Sequence, residues 1–279
     1  MKNILIPIDF STNATKALEY ALVFFKNTSC NFYILHVLTN SNYITTDSFA
    51  ISTSQIIEKT LVKNTKIRLQ NLLLKIKRSF PNSNHNFIPL VTTDYFIDSI
   101  RTQVKEKKIT LLVMGTKGAS GIKEIIVGSN TGDVITKVKI PLLAIPENAQ
   151  FTPPKEIAFP TDYNLFYQTK VLNDISAFTT MYDATLRILH VRKKEEELSA
   201  FQKENKEYLS DYFTEFNHSF HRITNKKIEA GVQCFVESRD INMLVMIAKN
   251  LNLFQQIIFK PTVKEISYHT TVPLLVLHE

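Results

Sequence analysis

Short, unbroken apolar runs alternate along the chain with longer stretches in which apolar residues recur every three or four positions. In the first half these runs are ILIPI, FYILHV, FIPLV, ITLLVM and PLLAI, which begin at residues 4, 32, 87, 109 and 141. Runs that are apolar on both faces are typical of parallel strands covered by helices. The pattern therefore predicts an α/β fold with a doubly wound parallel sheet.

The longer stretches predict helices that connect one strand to the next. Ser11, Thr12 and Asn13 can cap a helix in ATKALEYALVFF, and Thr92 and Thr93 can cap one in DYFIDSIRTQVKEKK. Residues 52–79 are predicted to form a longer helix. In the second half, helices are predicted at residues 164–182, 194–217 and 225–239.

Four motifs occur twice, in the same order and at similar spacing, which indicates a tandem repeat. The pairs are ILIPIDF and IAFPTDY, YILHV and RILHV, LLVMGTKG and MLVMIAKN, and IPLLAI and VPLLVL. Their members begin at residues 4 and 157, 33 and 187, 111 and 243, and 140 and 272. We predict two domains, residues 1–148 and 154–279, joined within the proline-containing segment 146–156.

Composition and charge narrow the function classes. The chain of 279 residues has a formal charge of +7, but its clusters KIKR and KEKK fall at predicted helix ends, where cations complement the helix dipole. Because no nucleic-acid-binding module accompanies them, we expect no nucleic-acid partner. No apolar run approaches the roughly 20 residues of a spanning helix, so we expect a cytoplasmic protein without a membrane partner. The two cysteines stand outside metal-ligand spacings and are predicted to be structural thiols.

A glycine-rich segment follows the fourth apolar run, and five of the six glycines lie between residues 113 and 135. Two residues separate Gly115 from Gly118, and nine more precede Gly128 and Ser129. This spacing is neither the Walker P-loop nor a GxGxxG turn. Because it lies between a buried strand and a helix, it exposes backbone N–H groups beside the positive end of a helix dipole, which favours phosphate binding. The alternative is a tight turn without a ligand.

The first three motifs all place candidate residues at strand ends. In an open parallel sheet, ligands bind outside the carboxyl ends of the strands. Asp9, Val37 and the segment 114–118 are predicted to end the first, second and fourth strands at that edge. For Asp9 the alternative is a cap or turn residue ahead of the first helix.

In this order, the motifs IPIDFS, LHV, VMGTKG-x9-GSNT and IPLLAIP resemble the universal stress protein family in its tandem form. The resemblance implies two Rossmann-like domains of the adenine nucleotide alpha hydrolase type, each with a five-stranded parallel sheet of order 3-2-1-4-5. It also implies that the glycine pattern binds ATP, with AMP or another adenine nucleotide as alternatives and with Mg²⁺ accompanying ATP.

The resemblance further assigns roles to individual positions. It places Asp9 beside the ribose or adenine, and the remaining residues along the adenine wall, the nucleotide and the phosphates. The adenine wall consists of Pro7, Ile8 and Val37; Met114, Gly115, Lys117 and Gly118 line the nucleotide; Gly128, Ser129, Asn130 and Thr131 receive the phosphates.

The second repeat departs from this pattern. Ile247, Asn250, Lys260 and Pro261 stand opposite Gly115, Gly118, Gly128 and Ser129, and only Asp162 is retained from the site. A branched side chain and a proline are unsuited to a backbone cradle for phosphate. We therefore predict one nucleotide site per chain, in the first repeat.

Single-domain members of the family pair through their last strands. The resemblance therefore implies that PLLAI and PLLVL pair within this chain, and we also expect whole chains to form a homodimer.

The leading hypothesis is a regulatory ATP-binding protein of the stress response. No general base, carboxylate cluster or Ser/His/Asp arrangement accompanies the glycine segment, so binding is better supported than turnover, and slow hydrolysis is left open. One alternative is a nucleotide-free scaffold that acts through oligomerisation and partner binding. Another is an adenylating enzyme, which the lack of SGGxDS and HIGH-like motifs disfavours.

Overall fold

A computed structural model describes residues 1–38, 48–116, 129–249 and 272–279; for residues 48–57 and 129 it describes only the backbone. The chain divides into two compact units, Met1–Met114 and Gly115–Glu279.

The described residues of the first unit form four parallel strands and three helices. The strands are β1 (Lys2–Pro7), β2 (Cys30–Val37), β3 (His85–Thr92) and β4 (Leu111–Gly115), the last of which ends one residue into the second unit. The helices are α1 (Thr12–Phe24), α2 (Ser48–Ser79) and α3 (Phe96–Glu106). The strand order is β3-β2-β1-β4. Central residues of β1, such as Ile4 and Ile6, are fully buried, as expected for a strand covered on both faces.

The second unit holds the remaining six strands and four helices of the described residues. Its strands are β5 (Leu142–Ile145), β6 (Glu156–Pro160), β7 (Thr185–Arg192), β8 (His218–Thr224), β9 (Met243–Ile247) and β10 (Leu274–Leu277). Its helices are α4 (Ser129–Lys137), α5 (Thr169–Tyr182), α6 (Ala200–Tyr212) and α7 (Ile228–Ser238). The strand order is β5-β10-β9-β6-β7-β8.

The predicted fold class is confirmed. The strands of the second repeat follow the order β8-β7-β6-β9-β10, which is the predicted 3-2-1-4-5 order, and all of their pairings are parallel. In the first repeat, β3-β2-β1-β4 reproduces the first four places. The Thr116 N–H, directly after β4, donates to the Ile145 carbonyl at the end of β5 at 2.9 Å.

The predicted pairing of the two last strands is also confirmed. β5 and β10 run antiparallel, with Leu143 opposite Leu275 and Ala144 opposite Leu274. All four of these side chains are buried, so the pairing lies within a hydrophobic core. This pairing explains why β5, which the motifs assign to the first repeat, belongs to the second compact unit.

The helix starts were predicted less well than the strands. Of the three predicted caps of α1, Ser11 is the one that caps it, by accepting from the Ala14 N–H. The caps predicted for α3 at Thr92 and Thr93 are wrong, because α3 begins after Tyr95 without a side-chain cap. The helix predicted from residue 164 begins at Thr169, since the five preceding residues form an irregular connection. The helix predicted at residues 194–217 is shorter, since α6 spans Ala200–Tyr212; its start is fixed by a capping box, in which Ser199 and Gln202 exchange hydrogen bonds.

Candidate functional site

The carboxyl ends of β1, β2 and β4 lie side by side in the first unit. Pro7 pairs with Leu35 of β2, and Leu5 pairs with Leu112 of β4. The Ile8 N–H donates to the Leu35 carbonyl at 2.7 Å, so the strand-like course continues one residue beyond β1. This edge carries the predicted adenine-wall and nucleotide-lining residues Pro7, Ile8, Val37 and Met114.

Asp9 occupies a tight turn between β1 and α1. Its carboxylate Oδ1 accepts from the Ser11 N–H at 2.9 Å, and Ser11 in turn caps α1. The side chain of Asp9 is exposed at the end of the strand. The turn interpretation of Asp9 is thus correct. Because the side chain is also exposed, it is accessible to a ligand, and its contact with a nucleotide stays a prediction.

A histidine and an aromatic ring fix the same turn. His36 Nδ1 lies 2.6 Å from the carbonyl oxygen of Ile8, and the His36 ring lies 4.8 Å from that of Phe10. Phe10 has a φ of 63°, an uncommon conformation for a bulky residue, which these contacts help to hold. The guanidinium carbon of Arg68, on α2, lies 3.9 Å from the centre of the Phe10 ring. His36 therefore positions the turn.

One hydrogen bond joins the two ends of the glycine-rich segment. Thr131 Oγ1, in the first turn of α4, donates to the carbonyl oxygen of Gly115 at the end of β4, over 2.9 Å. Thr131 is buried, whereas its neighbour Asn130 is exposed. Because the Thr131 hydroxyl is engaged with Gly115, its backbone N–H is the group left for the predicted phosphate contact.

The rest of the predicted phosphate cradle lies outside the described residues. This applies to Lys117, Gly118 and Gly128, while the backbone of Ser129 forms the first residue of α4. In the second repeat, Asn250, Lys260 and Pro261 likewise lie outside the described residues. Ile247, opposite Gly115, ends β9 and is buried.

The second repeat preserves the turn after its first strand. The Asn164 N–H donates to Asp162 Oδ1 at 3.1 Å, as Ser11 does to Asp9. Tyr163 has a φ of 56°, and its ring lies 5.1 Å from that of His190. His190 Nδ1 lies 3.0 Å from the Thr161 carbonyl. Since this arrangement occurs in both repeats, it is a property of the fold and does not depend on the glycine pattern.

The second repeat fills the region beyond its first strand with its own side chains. The Tyr167 hydroxyl lies 2.8 Å from Thr161 Oγ1, which also accepts from the Tyr163 N–H, and all three residues are buried. Burial raises the pKa of the Tyr163 phenol. Buried Asn205, on α6, donates to the Tyr163 carbonyl at 2.8 Å.

Tyr167 and Asn205 did not emerge from the motifs. The signal available in the sequence was the length of the connection after the first strand. Eight residues connect β6 to α5, whereas four connect β1 to α1. The extra residues bring Tyr167 back to the end of β6, where its ring also packs 5.3 Å from Phe159.

Reactive groups elsewhere in the described residues are few. Cys30 is a buried free thiol whose pKa is raised to about 11, chiefly by burial, and Cys234 is an exposed free thiol. Across the described ranges, no three His, Cys, Asp or Glu side chains are grouped so that they could hold a metal ion. Among the same residues, no helix is long and apolar enough to cross a membrane.

The comparisons with known proteins agree with this fold. The sequence model of the universal stress protein family matches residues 1–146. Universal stress protein MJ0577 of Methanocaldococcus jannaschii is 24% identical over 152 residues, which cover 52% of this chain and 94% of that protein. A universal stress protein structure from Archaeoglobus fulgidus has a TM-score of 0.64 at 14% identity, over 99% of this chain and 98% of its own. A Pseudomonas aeruginosa structure given the same family name has a TM-score of 0.56 at 11% identity, over 100% and 93%.

The two repeats and their matched strand-end turns define a tandem α/β protein with a Rossmann-like fold. Since the family match spans more than half of its residues, the chain belongs to the universal stress protein family, as its motifs predicted.

Proposed function

We propose that the first repeat binds an adenine nucleotide, ATP, and that occupancy of this site regulates the protein. The observation that carries the proposal is the hydrogen bond from Thr131 Oγ1 to the Gly115 carbonyl. It holds the first and last parts of the glycine segment together, beside the first turn of a nine-residue helix. A segment closed in this way, with glycines at the G-xx-G-x9-G-S spacing, can direct several N–H groups at one phosphate chain.

The proposed roles follow the chain from strand end to helix. Asp9 accepts hydrogen bonds from the ribose or adenine. Pro7, Ile8, Val37 and Met114 supply apolar surface for the adenine ring, which stacks and packs on such walls. Gly115, Lys117 and Gly118 follow the nucleotide, and Gly128, Ser129, Asn130 and Thr131 hold the phosphates through the helix N-terminus.

Mg²⁺ is proposed to enter with ATP. Magnesium in nucleotide sites is commonly held by substrate phosphates and few protein ligands. This mode suits the chain, since no three-ligand cluster occurs in the described residues. Hydrolysis is proposed to be slow, because no general base, carboxylate cluster or Ser/His/Asp arrangement accompanies the glycine segment in the sequence.

The second repeat is proposed to act as a structural partner. We retain the domain boundaries 1–148 and 154–279, which follow the repeated motifs, and the antiparallel β5–β10 pairing supports an intramolecular partnership of the last strands. Buried Tyr167 and Ile247 support a second repeat without a nucleotide site. A homodimer of whole chains and a cytoplasmic location complete the proposal.

Isothermal titration calorimetry of the full chain with ATP and with AMP tests the proposed binding. We expect one site per chain, and loss of that site in Gly118→Asp, which places a carboxylate against the phosphates. Asn250→Asp makes the same change at the equivalent position of the second repeat and should bind ATP normally.

The nucleotide-free scaffold is the competing function, and the buried β5–β10 pairing is the observation that favours it. It predicts no heat of ATP binding and no adenine compound released from the denatured protein in mass spectrometry. Either ATP binding equal in Gly118→Asp and wild type, or no binding by wild type, would reject the nucleotide proposal. A single-turnover assay with Mg²⁺ separately tests hydrolysis, with Gly118→Asp as the blank.

A further inference from the structure

The excess positive charge of the chain is concentrated on α2. This helix contains seven basic residues and one acidic residue, Glu58, and so carries +6 of the formal charge of +7. All seven basic side chains are exposed, and none forms an ion pair with a carboxylate of the described residues. The corresponding helix of the second repeat, α6, has two lysines and three acidic residues. The fold therefore does not require a basic helix at this place.

Four of these lysines share one side of α2 with two exposed apolar residues. Helical spacing aligns positions 59, 63, 66, 67, 70, 74 and 77 along a single strip, because neighbours in this series are three or four residues apart or adjacent. The strip is about 27 Å long from residue 59 to residue 77. We call it the lysine face, and its members are Lys59, Lys63, Lys66, Ile67, Gln70, Leu74 and Lys77.

The side of α2 that packs against the sheet adjoins the lysine face. Leu69, Leu73 and Ile76 are buried there. Lys77 Nζ lies 5.7 Å from the ring of Phe87 on β3, so the lysine face lies toward the β3 side of the helix. The face is thus additional to the core-forming surface of α2.

Two exposed apolar residues lie among these lysines. Ile67 is 47% exposed and Leu74 is 55% exposed. They lie seven residues apart, about 10 Å along the helix, with lysines on the same strip. A surface that combines lysines with exposed aliphatic side chains suits the boundary between lipid headgroups and acyl chains.

We propose that the lysine face binds the surface of an anionic phospholipid bilayer. The lysines contact headgroup phosphates and carboxylates, and Ile67 and Leu74 enter the headgroup region. This is a surface association that needs no spanning helix, and it goes beyond nucleotide binding in the first repeat. Nucleic acid is the other polyanion to consider, but it gains little from exposed aliphatic side chains, and the strip has no aromatic ring for base stacking.

Vesicle flotation with the full-length chain tests the proposal. Wild type should bind vesicles of phosphatidylcholine mixed with phosphatidylserine, should not bind pure phosphatidylcholine, and should detach as salt screens the charges. Replacing Lys59, Lys63, Lys66 and Lys77 together by glutamine should weaken binding by about 100-fold or more, since each basic residue near an anionic surface contributes roughly fivefold.

A matched variant distinguishes the effect of the lysine face on binding from the effect of net charge. Lys26, Lys105, Lys203 and Lys226 are also exposed, and they lie on other parts of the chain. Replacing these four by glutamine removes the same charge and should reduce binding by less than about tenfold. Equal losses in the two quadruple variants would overturn the assignment to this face. Thermal melts of both variants should match wild type, because all eight lysines are exposed.

A second variant tests whether the ligand is a lipid surface or another polyanion. Ile67→Ser/Leu74→Ser keeps every charge and should weaken vesicle binding by about tenfold, through loss of two inserted aliphatic groups. Unchanged vesicle binding would overturn the proposal that these side chains insert. Absence of vesicle binding by wild type, or binding of an RNA or DNA oligonucleotide through the four lysines in its place, would overturn the lipid proposal as a whole.

Discussion

His36 Nδ1 lies 2.6 Å from the carbonyl oxygen of Ile8, and the same contact joins His190 Nδ1 to the Thr161 carbonyl at 3.0 Å in the second repeat. Each histidine also packs against the residue with positive φ in the turn that follows, Phe10 or Tyr163. Two halves with very different sequences after their fourth strands thus share one way of fixing the turn after the first strand. The shared turn gives matched positions at which a nucleotide role can be separated from a structural one.

The carboxylates of Asp9 and Asp162 form such a matched pair. An asparagine at either position can still accept the turn hydrogen bond through its side-chain oxygen, so only the charge is lost. If Asp9 contacts the nucleotide, Asp9→Asn should weaken ATP binding by about tenfold or more, the usual effect of losing a hydrogen bond to a charged group. Asp162→Asn should leave ATP affinity unchanged. Calorimetry on both variants decides, and equal affinities for Asp9→Asn and wild type would remove Asp9 from the site.

The Thr131 hydroxyl should matter for both stability and ATP affinity. Thr131→Val keeps the shape of the side chain but removes the bond to the Gly115 carbonyl, at an expected cost of about 1 kcal/mol in the free energy of unfolding. ATP binding should weaken severalfold, because the ends of the glycine segment are no longer tied. Urea unfolding and calorimetry measure the two effects.

Thr136 provides the control for this change. It lies on the same helix, is exposed, and bonds only locally to the Gly132 and Asp133 carbonyls. Thr136→Val should therefore leave ATP affinity unchanged. If both variants lost affinity equally, the effect would belong to the helix and not to the Thr131–Gly115 contact.

Tyr167 should stabilise the second repeat without any part in nucleotide binding. Tyr167→Phe removes the hydroxyl that lies 2.8 Å from Thr161 Oγ1 and should lower the free energy of unfolding by about 1 kcal/mol. ATP affinity and stoichiometry should not change. Urea unfolding and calorimetry check these outcomes; a second ATP site in the variant would show that Tyr167 blocks an otherwise competent site.

The strands and their order could be predicted because each strand is an apolar run bounded by polar residues, as in ILIPIDF and its repeat IAFPTDY. The position of Asp9 after β1 followed from the same pattern. The start of α5 could not be predicted in this way, since it depends on a tertiary contact between Tyr167 and Thr161. Likewise, nothing in the spacing GSNT indicates that the Thr131 hydroxyl turns back to Gly115. The lysine clusters were assigned to helix ends, whereas the lysine face becomes visible only when the helical side of each residue is known.

The pH dependence of stability should depend on His278. Its pKa is lowered from 6.5 to about 4, first by burial and then by the charges of Lys139 and Lys170. Its Nε2 atom is buried and has no hydrogen-bond partner, so a proton on the ring would be poorly accommodated. Between pH 6.5 and about 4, the unfolded chain binds this proton and the folded chain does not. Protein stability attributable to this group is therefore complete above pH 6.5 and is lost progressively as the pH falls toward 4.

Urea unfolding of wild type and His278→Gln, near neutral pH and near the middle of that window, measures this contribution. Wild type should lose more stability on acidification than His278→Gln, because the variant has no group to protonate in the unfolded chain. Lys139→Gln/Lys170→Gln removes the two repelling charges and should shrink the loss while leaving the burial effect in place. Carboxylates that titrate in the same range act equally on all three proteins and cancel in the comparison. Identical losses in wild type and His278→Gln would mean that the folded chain accommodates the protonated ring, contrary to its buried and unpartnered Nε2.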